Sequence, residues 1–461
     1  MPVRKILSVA VCAIPMLYAS ADNVDFVTSL QVGEKITLAV GGEAPATIYW
    51  ADGTSDKLEA SGNPLEVKLK SQSFSVKSDG AIRYVYAPGA GLTSISFSGA
   101  PVVEGLYLQG NKISSLNFGD LPYLRSLDVQ GNAFSSFNLN GNCKKLEYLN
   151  CSYNSISTIS TGKLDELRTL ICAGNKIRSI SVDDLPKLQQ LWCQDNDVRR
   201  LSVDKAGKIN SLYAYNNSIS KLSGIGGEMK RLWLDYNELD ALDLSQANAL
   251  EEVSLDHNKL HEVEISTQSR RILKYYYAND NALSFNSFPT LKRLEAYTVS
   301  PQADYVFESS PKVGEQFSVA LPFWRDAWKS DVESVVTWFD KTSGNKLTEG
   351  TDYKTDGNNV TFLKAYPQVY ATATSEFFPD LVIHTAPFAI TGATSVETAV
   401  AGRSVSVEPG HLVVTTDKEF RLRVFAADGR EVIDTNARPG RTTYSLEKGI
   451  YVVDGTKVLV P

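Results

Sequence analysis

Any catalysis in this chain of 461 residues would draw on four histidines and five cysteines. A nucleophile needs a base within hydrogen-bond reach, and histidine is the natural one. His257 and His261 flank one short stretch, while His384 and His411 stand far downstream. None sits in a nucleophile elbow or an H-E-x-x-H pair, and no phosphate-cradling glycine loop occurs in context. Glu251 and Glu252 could serve glycoside hydrolysis only inside a water-excluding cleft. Cys151, Cys172 and Cys193 recur every 21 residues without nearby histidine or C-x-x-C spacing. They read as small buried hydrophobes, and Cys143 lies in a loop without an obvious partner. These residues imply no metal, no cofactor and no enzyme. Recognition chemistry remains: Trp192, Tyr213 and Trp233 are spaced by 21 and 20 residues, and Trp and Tyr dominate binding hot spots.

Residues so spaced need a scaffold of the same period. Asparagine recurs at Asn111, Asn132, Asn154, Asn175, Asn196, Asn217, Asn237, Asn258 and Asn281, at intervals of 20 to 23 residues. The surrounding pattern is L-x-x-L-x-L-x-x-N-x-L, as in Leu188, Leu191, Cys193, Asn196 and Val198. A weaker copy runs from Ile82 through Val85 and Ala87, with Ala90 in place of Asn, and Leu291, Leu294 and Ala296 end the array. Side chains alternate along a strand, so the L-x-L residues face inward and the third, fifth and seventh positions face outward. One coil cannot bury its own apolar side, so coils stack on a shared core. Each Asn is placed at a turn, where its amide can satisfy backbone groups of a neighbouring coil. A 21-residue coil leaves room on its return side only for 3₁₀ or extended segments.

This segment, roughly residues 82 to 298, resembles the leucine-rich repeat family. The cysteine ladder in 21-residue coils is similar to that of certain internalins, bacterial surface adhesins in which the array precedes an immunoglobulin-like module. The fifth positions read Tyr107, Asp128, Asn150, Ile171, Trp192, Tyr213, Trp233, Ser254, Tyr277 and Glu295. Tyr215 and Asp235 join at the seventh, Arg231 and Tyr275 at the third, and Tyr236 and His257 at the eighth. The expected ligand face is therefore Trp192, Tyr213, Tyr215 and Trp233, extended by Tyr275 and Tyr277 and bordered by Arg231, Asp235 and Tyr236. Contiguous exposed apolar surface of this kind marks an interaction site.

The flanks carry other signals. Arg4 and Lys5, an apolar run to Tyr18 and then Ala19-Ser20-Ala21 have the form of a secretory signal peptide. Trp50-Ala51-Asp52-Gly53-Thr54 resembles the turn of polycystic-kidney-disease-like β modules. Short β-type runs after Pro301 indicate an antiparallel sandwich of immunoglobulin-like character, with Trp338 in its core. The stretches Leu422–Arg430 and Leu446–Val453 resemble the C-terminal sorting domain of Bacteroidetes type IX secretion substrates, which implies outer-membrane passage and surface attachment.

The expected fold is mainly β, a leucine-rich-repeat solenoid flanked by an N-terminal β cap and two C-terminal β-sandwich modules. The expected divisions are 1–21 signal peptide, 22–81 cap, 82–300 solenoid, 301–395 immunoglobulin-like and 396–461 sorting-like. With 46 basic against 53 acidic side chains the formal charge is −7, which argues against general nucleic-acid binding. The expected function is a non-catalytic, secreted or surface-held monomer that binds a protein or glycan of a host or microbial surface, without a transmembrane segment in the mature chain. A surface scaffold is the alternative and a glycan-processing enzyme the third.

Overall fold

The computed structural model describes residues 22–460 except 59–61, 99–101, 140, 286, 288–293, 320–333, 377, 393–402, 409 and 454–455. The signal-peptide segment and Leu291 lie outside the described residues. The chain divides into two units: residues up to Ser300 without Ser284–Asn286, and Pro301 onward with Ser284–Asn286.

The first unit is a solenoid of stacked coils. Each coil contributes one three-residue strand, such as Gln190–Trp192, Ser211–Tyr213 and Arg231–Trp233, to a single sheet of thirteen strands. Neighbouring coil strands are parallel and in register, so Leu170, Leu191, Leu212 and Leu232 stack at one inward position. All four are buried, and so are Cys151, Cys172 and Cys193 two residues after the corresponding inward site. Tyr276 fills the leucine position in its coil and is buried as well. On the return side, short parallel pairs such as Ala241–Leu244 with Glu262–Ile265 replace any long helix. The helical pieces described there are the 3₁₀ turn Phe118–Asp120 and the four-residue helix Ser269–Ile272.

The asparagines bind coil to coil. The Asn196 amide donates to the carbonyls of Cys172 in the previous coil (3.0 Å) and Cys193 in its own (3.2 Å). Its Oδ1 accepts from the Ile177 N–H at 2.9 Å. The same three contacts recur from Asn111 to Asn281. Buried backbone groups left without partners are costly, and here one side chain serves three of them.

The residue before each asparagine has a left-handed backbone. Tyr153, Asp195, Asn216, Tyr236, His257 and Asp280 have φ between 52° and 57°, and Gly110, Gly131 and Gly174 take the position elsewhere. At Gly174 a Cβ would lie 2.5 Å from the Tyr153 ring, so a larger residue here would have to displace that exposed ring.

The last coil is phased differently from the sequence expectation. Tyr275 pairs with Ala296 and Tyr277 with Thr298, so Thr298 rather than Glu295 holds the outward fifth position. Tyr297 takes the inward fourth position at the end of the sheet, 40% exposed, and Val299 is buried at the sixth. This coil has no anchoring asparagine, and apolar spacing alone admits both phases.

At the other end, Lys35–Gly42 pairs antiparallel with Ile82–Tyr86 and continues the coil sheet. A second sheet joins Ser55–Leu58, Ala46–Trp50, Ser73–Ser78, Asp22–Thr28 and Leu92–Ser98 in that order. Leu92–Ser98 is the return segment of the first coil, so cap and solenoid share a strand. Phe26 stacks on its cross-strand partner Phe74 at 4.9 Å within this second sheet.

The second unit holds two antiparallel β assemblies with separate cores. In one, Val335–Asp340 pairs with Tyr366–Ser375, and the buried Trp338 meets Phe362 edge-on at 5.1 Å. In the other, Leu412, Val414, Leu422 and Val424 are central. Among the described residues no helix is long and apolar enough to cross a membrane.

Two outcomes are expected. Asn196→Ala strands two carbonyls and one N–H, and should lower stability by roughly 3 kcal/mol in denaturant unfolding. Burial lifts the Cys143, Cys151 and Cys193 thiols to about 12 and Cys172 well above its ordinary value. These four should resist a thiol reagent at about pH 8 until denaturant is added, because only the thiolate reacts.

Candidate binding face

Register brings the aromatic residues together. Trp192, Tyr213 and Trp233 are direct partners on three adjacent strands. Ring centroids are 4.8 Å apart from Trp192 to Tyr213, inclined at 55°, and 5.4 Å from Tyr213 to Trp233, at 64°. Tyr215 reaches Trp233 at 6.4 Å from the seventh position. All four residues are half-buried. The indole Nε1 atoms of Trp192 and Trp233 are buried without a hydrogen-bond partner, so the surface these rings offer to solvent is carbon.

The remaining residues expected on the face divide. The strand after Arg231–Trp233 carries Ser254 opposite Trp233, 8% exposed, and this coil separates the aromatic row from Tyr275 and Tyr277. The Tyr275 hydroxyl donates to Glu295 at 2.6 Å. Tyr236 stands in the turn, 56% exposed, with its ring stacked on His257 at 4.2 Å. His257 Nε2 is 3.4 Å from an Asp280 carboxylate oxygen. Arg231 lies 3.5 Å from Glu252. Asp235 is engaged inside the ladder, its Oδ1 accepting from the Ser254 hydroxyl at 2.5 Å and the Asp256 N–H at 3.0 Å.

Asp256 repeats that arrangement one coil on, accepting from the Asn279 N–H at 2.9 Å. Burial raises its pKa to about 6, against the lowering effect of that hydrogen bond and with Asp235 adding to the rise. Among the described residues no group of three or more His, Cys, Asp or Glu is placed to hold a metal ion.

One row escaped the sequence reading although its period was present. At the second position of successive coils Arg83, Glu104, Arg125, Glu147 and Arg168 alternate in sign. Arg83 contacts Glu104 at 2.6 Å and Arg125 contacts Glu147 at 2.5 Å, with Arg125–Glu104 and Arg168–Glu147 at 3.9 Å. The row then becomes neutral at Gln189 and Asn210, and charge returns at Lys230, Glu251 and Lys274. The neutral coils are those of Trp192 and Tyr213. The left-handed eighth positions were signalled by Gly110, Gly131, Gly174, Asp195, Asn216, His257 and Asp280, residue types that favour that conformation, with Tyr153 and Tyr236 masking the pattern.

No family model and no curated protein sequence matches the chain. Solved leucine-rich repeat structures are similar in fold. The functional domain of InlJ from Listeria monocytogenes, which includes a cysteine ladder, aligns over 63% of this chain and 76% of its own, with 17% identity and a TM-score of 0.36. The leucine-rich effector protein YopM from Yersinia pestis aligns over 52% and 63%, with 22% identity and a TM-score of 0.40. For the LRIM1/APL1C complex the shares are 40% and 36%, with 24% identity and a TM-score of 0.36. This chain thus spans about a third of the LRIM1/APL1C chain and under two thirds of YopM. At these scores the likenesses carry no functional argument, and the solenoid rests on its own strand ladder.

A carboxyl whose pKa is higher folded than unfolded adds stability below its unfolded value, near 3.8, and loses it as pH rises through about 6. Asp256→Asn keeps the acceptor for Asn279 and removes the charge. It should raise the thermal midpoint at neutral pH and flatten the decline between about pH 4 and 6, as thermal unfolding across that range will read.

Proposed function

We propose that this chain is a non-catalytic extracellular binding protein that takes a protein or glycan partner on the face carrying Trp192, Tyr213 and Trp233. The observation that carries the reading is the contact of these three half-exposed rings across adjacent strands. Aromatic residues on strands are ordinary, but a contiguous row in which both indole N–H groups are buried leaves ring carbon open to solvent, and such surface marks interaction sites. Arg231, Tyr215, Tyr236 and Asp235 border it in this reading, and Tyr275 and Tyr277 extend it beyond the Ser254 coil.

The setting we propose is export under the segment 1–21, with 22–81 capping the solenoid 82–300. An immunoglobulin-like module at 301–395 and a type IX sorting-like domain at 396–461 would hold the protein at a bacterial, Bacteroidetes-type cell surface as a monomer. Glu251 and Glu252 are half-buried and each faces a basic side chain, Lys274 at 4.0 Å and Arg231 at 3.5 Å, an arrangement that favours binding over turnover.

Replacing Trp192, Tyr213 and Trp233 together by Ala should reduce ligand capture by about 100-fold or more, since central aromatic anchors each carry about 2 kcal/mol or more. The assay is a screen of surface proteins and glycans with the purified chain and the triple variant, folding being checked by circular dichroism. Capture that survives in the folded variant would place the site elsewhere.

A further inference from the structure

We infer that the ligand of the aromatic row is an uncharged oligosaccharide chain, an inference that rests on the binding reading above and names its occupant. Charge is the first ground. The alternating row of the second positions is interrupted at Gln189 and Asn210, beside Trp192 and Tyr213, and the third positions of the same coils are Gln190 and Ser211. On these two coils Gln190 therefore offers an exposed amide and Gln189 and Asn210 half-buried ones, while the Ser211 hydroxyl is buried and donates to Asn210 at 2.9 Å. Of the charges bordering the rings, Lys230 is exposed at the edge of the Trp233 coil, whereas Arg231, Asp235 and Asp195 are engaged. Arg231 faces Glu252, Asp235 holds the Ser254 hydroxyl and the Asp256 N–H, and Asp195 accepts from the Asn216 amide at 2.7 Å. A charged peptide or acidic polysaccharide would find few free counter-charges along the Trp192 and Tyr213 coils, and electrostatic complementarity is what selects charged partners.

The second ground is the kind of surface offered. Both indoles turn their N–H groups inward, where they are buried, and leave ring carbon outward. A pyranose ring has a C–H face that packs on such carbon and a rim of hydroxyls that both donate and accept. Amide side chains such as Gln189 and Gln190 also do both.

The third ground is repetition. The rings are inclined to one another by 55° and 64°, so they do not form one flat plate. Each coil instead presents one ring per strand step of about 4.8 Å, close to the length of one pyranose unit. A ligand with a similar repeat meets one ring per unit.

The experiment is calorimetric titration of the purified full chain with neutral gluco-, xylo- and manno-oligosaccharides of increasing length, beside oligogalacturonate as the anionic control. The expected result is that affinity rises with length for at least one neutral series. It should change less than about twofold when salt is raised, since screening acts on charges. Trp233→Ala should weaken that binding about tenfold or more, and Gln190→Ala, at an exposed position that leaves the fold untouched, should weaken it severalfold. No binding by any neutral series, or salt-sensitive binding of oligogalacturonate alone, overturns the inference. If a protein partner is then captured and lost in Trp233→Ala, the face remains a binding surface with a different occupant. Oligosaccharide binding that ignores both variants overturns the inference and the binding reading together.

Discussion

The structure depends on one constraint: the backbone of a coil cannot satisfy its own polar groups. Between coils the N–H of one residue meets the carbonyl of the residue just before its counterpart in the next, as from Cys193 to Tyr213 at 2.8 Å. At the turn this register runs out, and the asparagine amide completes it. A strand of three residues is too short to persist alone, so each coil is held by its neighbours rather than by local propensity. An end coil must then find its partners elsewhere. Lys35–Gly42 supplies them at one end by antiparallel pairing, and the Asp22 carboxylate accepts from the buried Ile82 N–H at 2.9 Å.

The same register makes the candidate face. Because every strand is aligned with the next, residues 20 or 21 apart in sequence become ring-to-ring neighbours. Position within the coil decides burial, and neighbouring coils modulate it: Asn150 and Ser254 sit at the outward fifth position yet are almost wholly covered. The row from Trp192 to Trp233 is bounded by that effect, with the small Ser254 ending it before Tyr277.

Much of this was legible in advance, for a physical reason. An asparagine that must reach three backbone groups tolerates little displacement, so it keeps its phase and reports it. Where the asparagine is missing the phase was misread, and the last coil moved by three residues. The strand shared between cap and first coil had no local signature, because pairing of Leu92–Ser98 with Asp22–Thr28 is decided by tertiary contact. The left-handed turn was hidden for a different reason. Gly110, Gly131 and Gly174 show it in three coils, but Tyr153 and Tyr236 adopt it under constraint from the stack and break the pattern.

The alternating row of Arg83, Glu104, Arg125, Glu147 and Arg168 bears on how such an array can grow or shrink. Removing one coil from this stretch would set two like charges side by side on adjacent strands. That costs up to roughly 1 kcal/mol per exposed contact in place of an attraction. Removing two coils restores the alternation. Repeat number in this part of the array is therefore subject to parity, with loss or duplication tolerated more readily in pairs than singly. The neutral coils at Gln189 and Asn210 are free of that rule, so a unit can be inserted or lost beside the aromatic row without disturbing the charge pattern on either side.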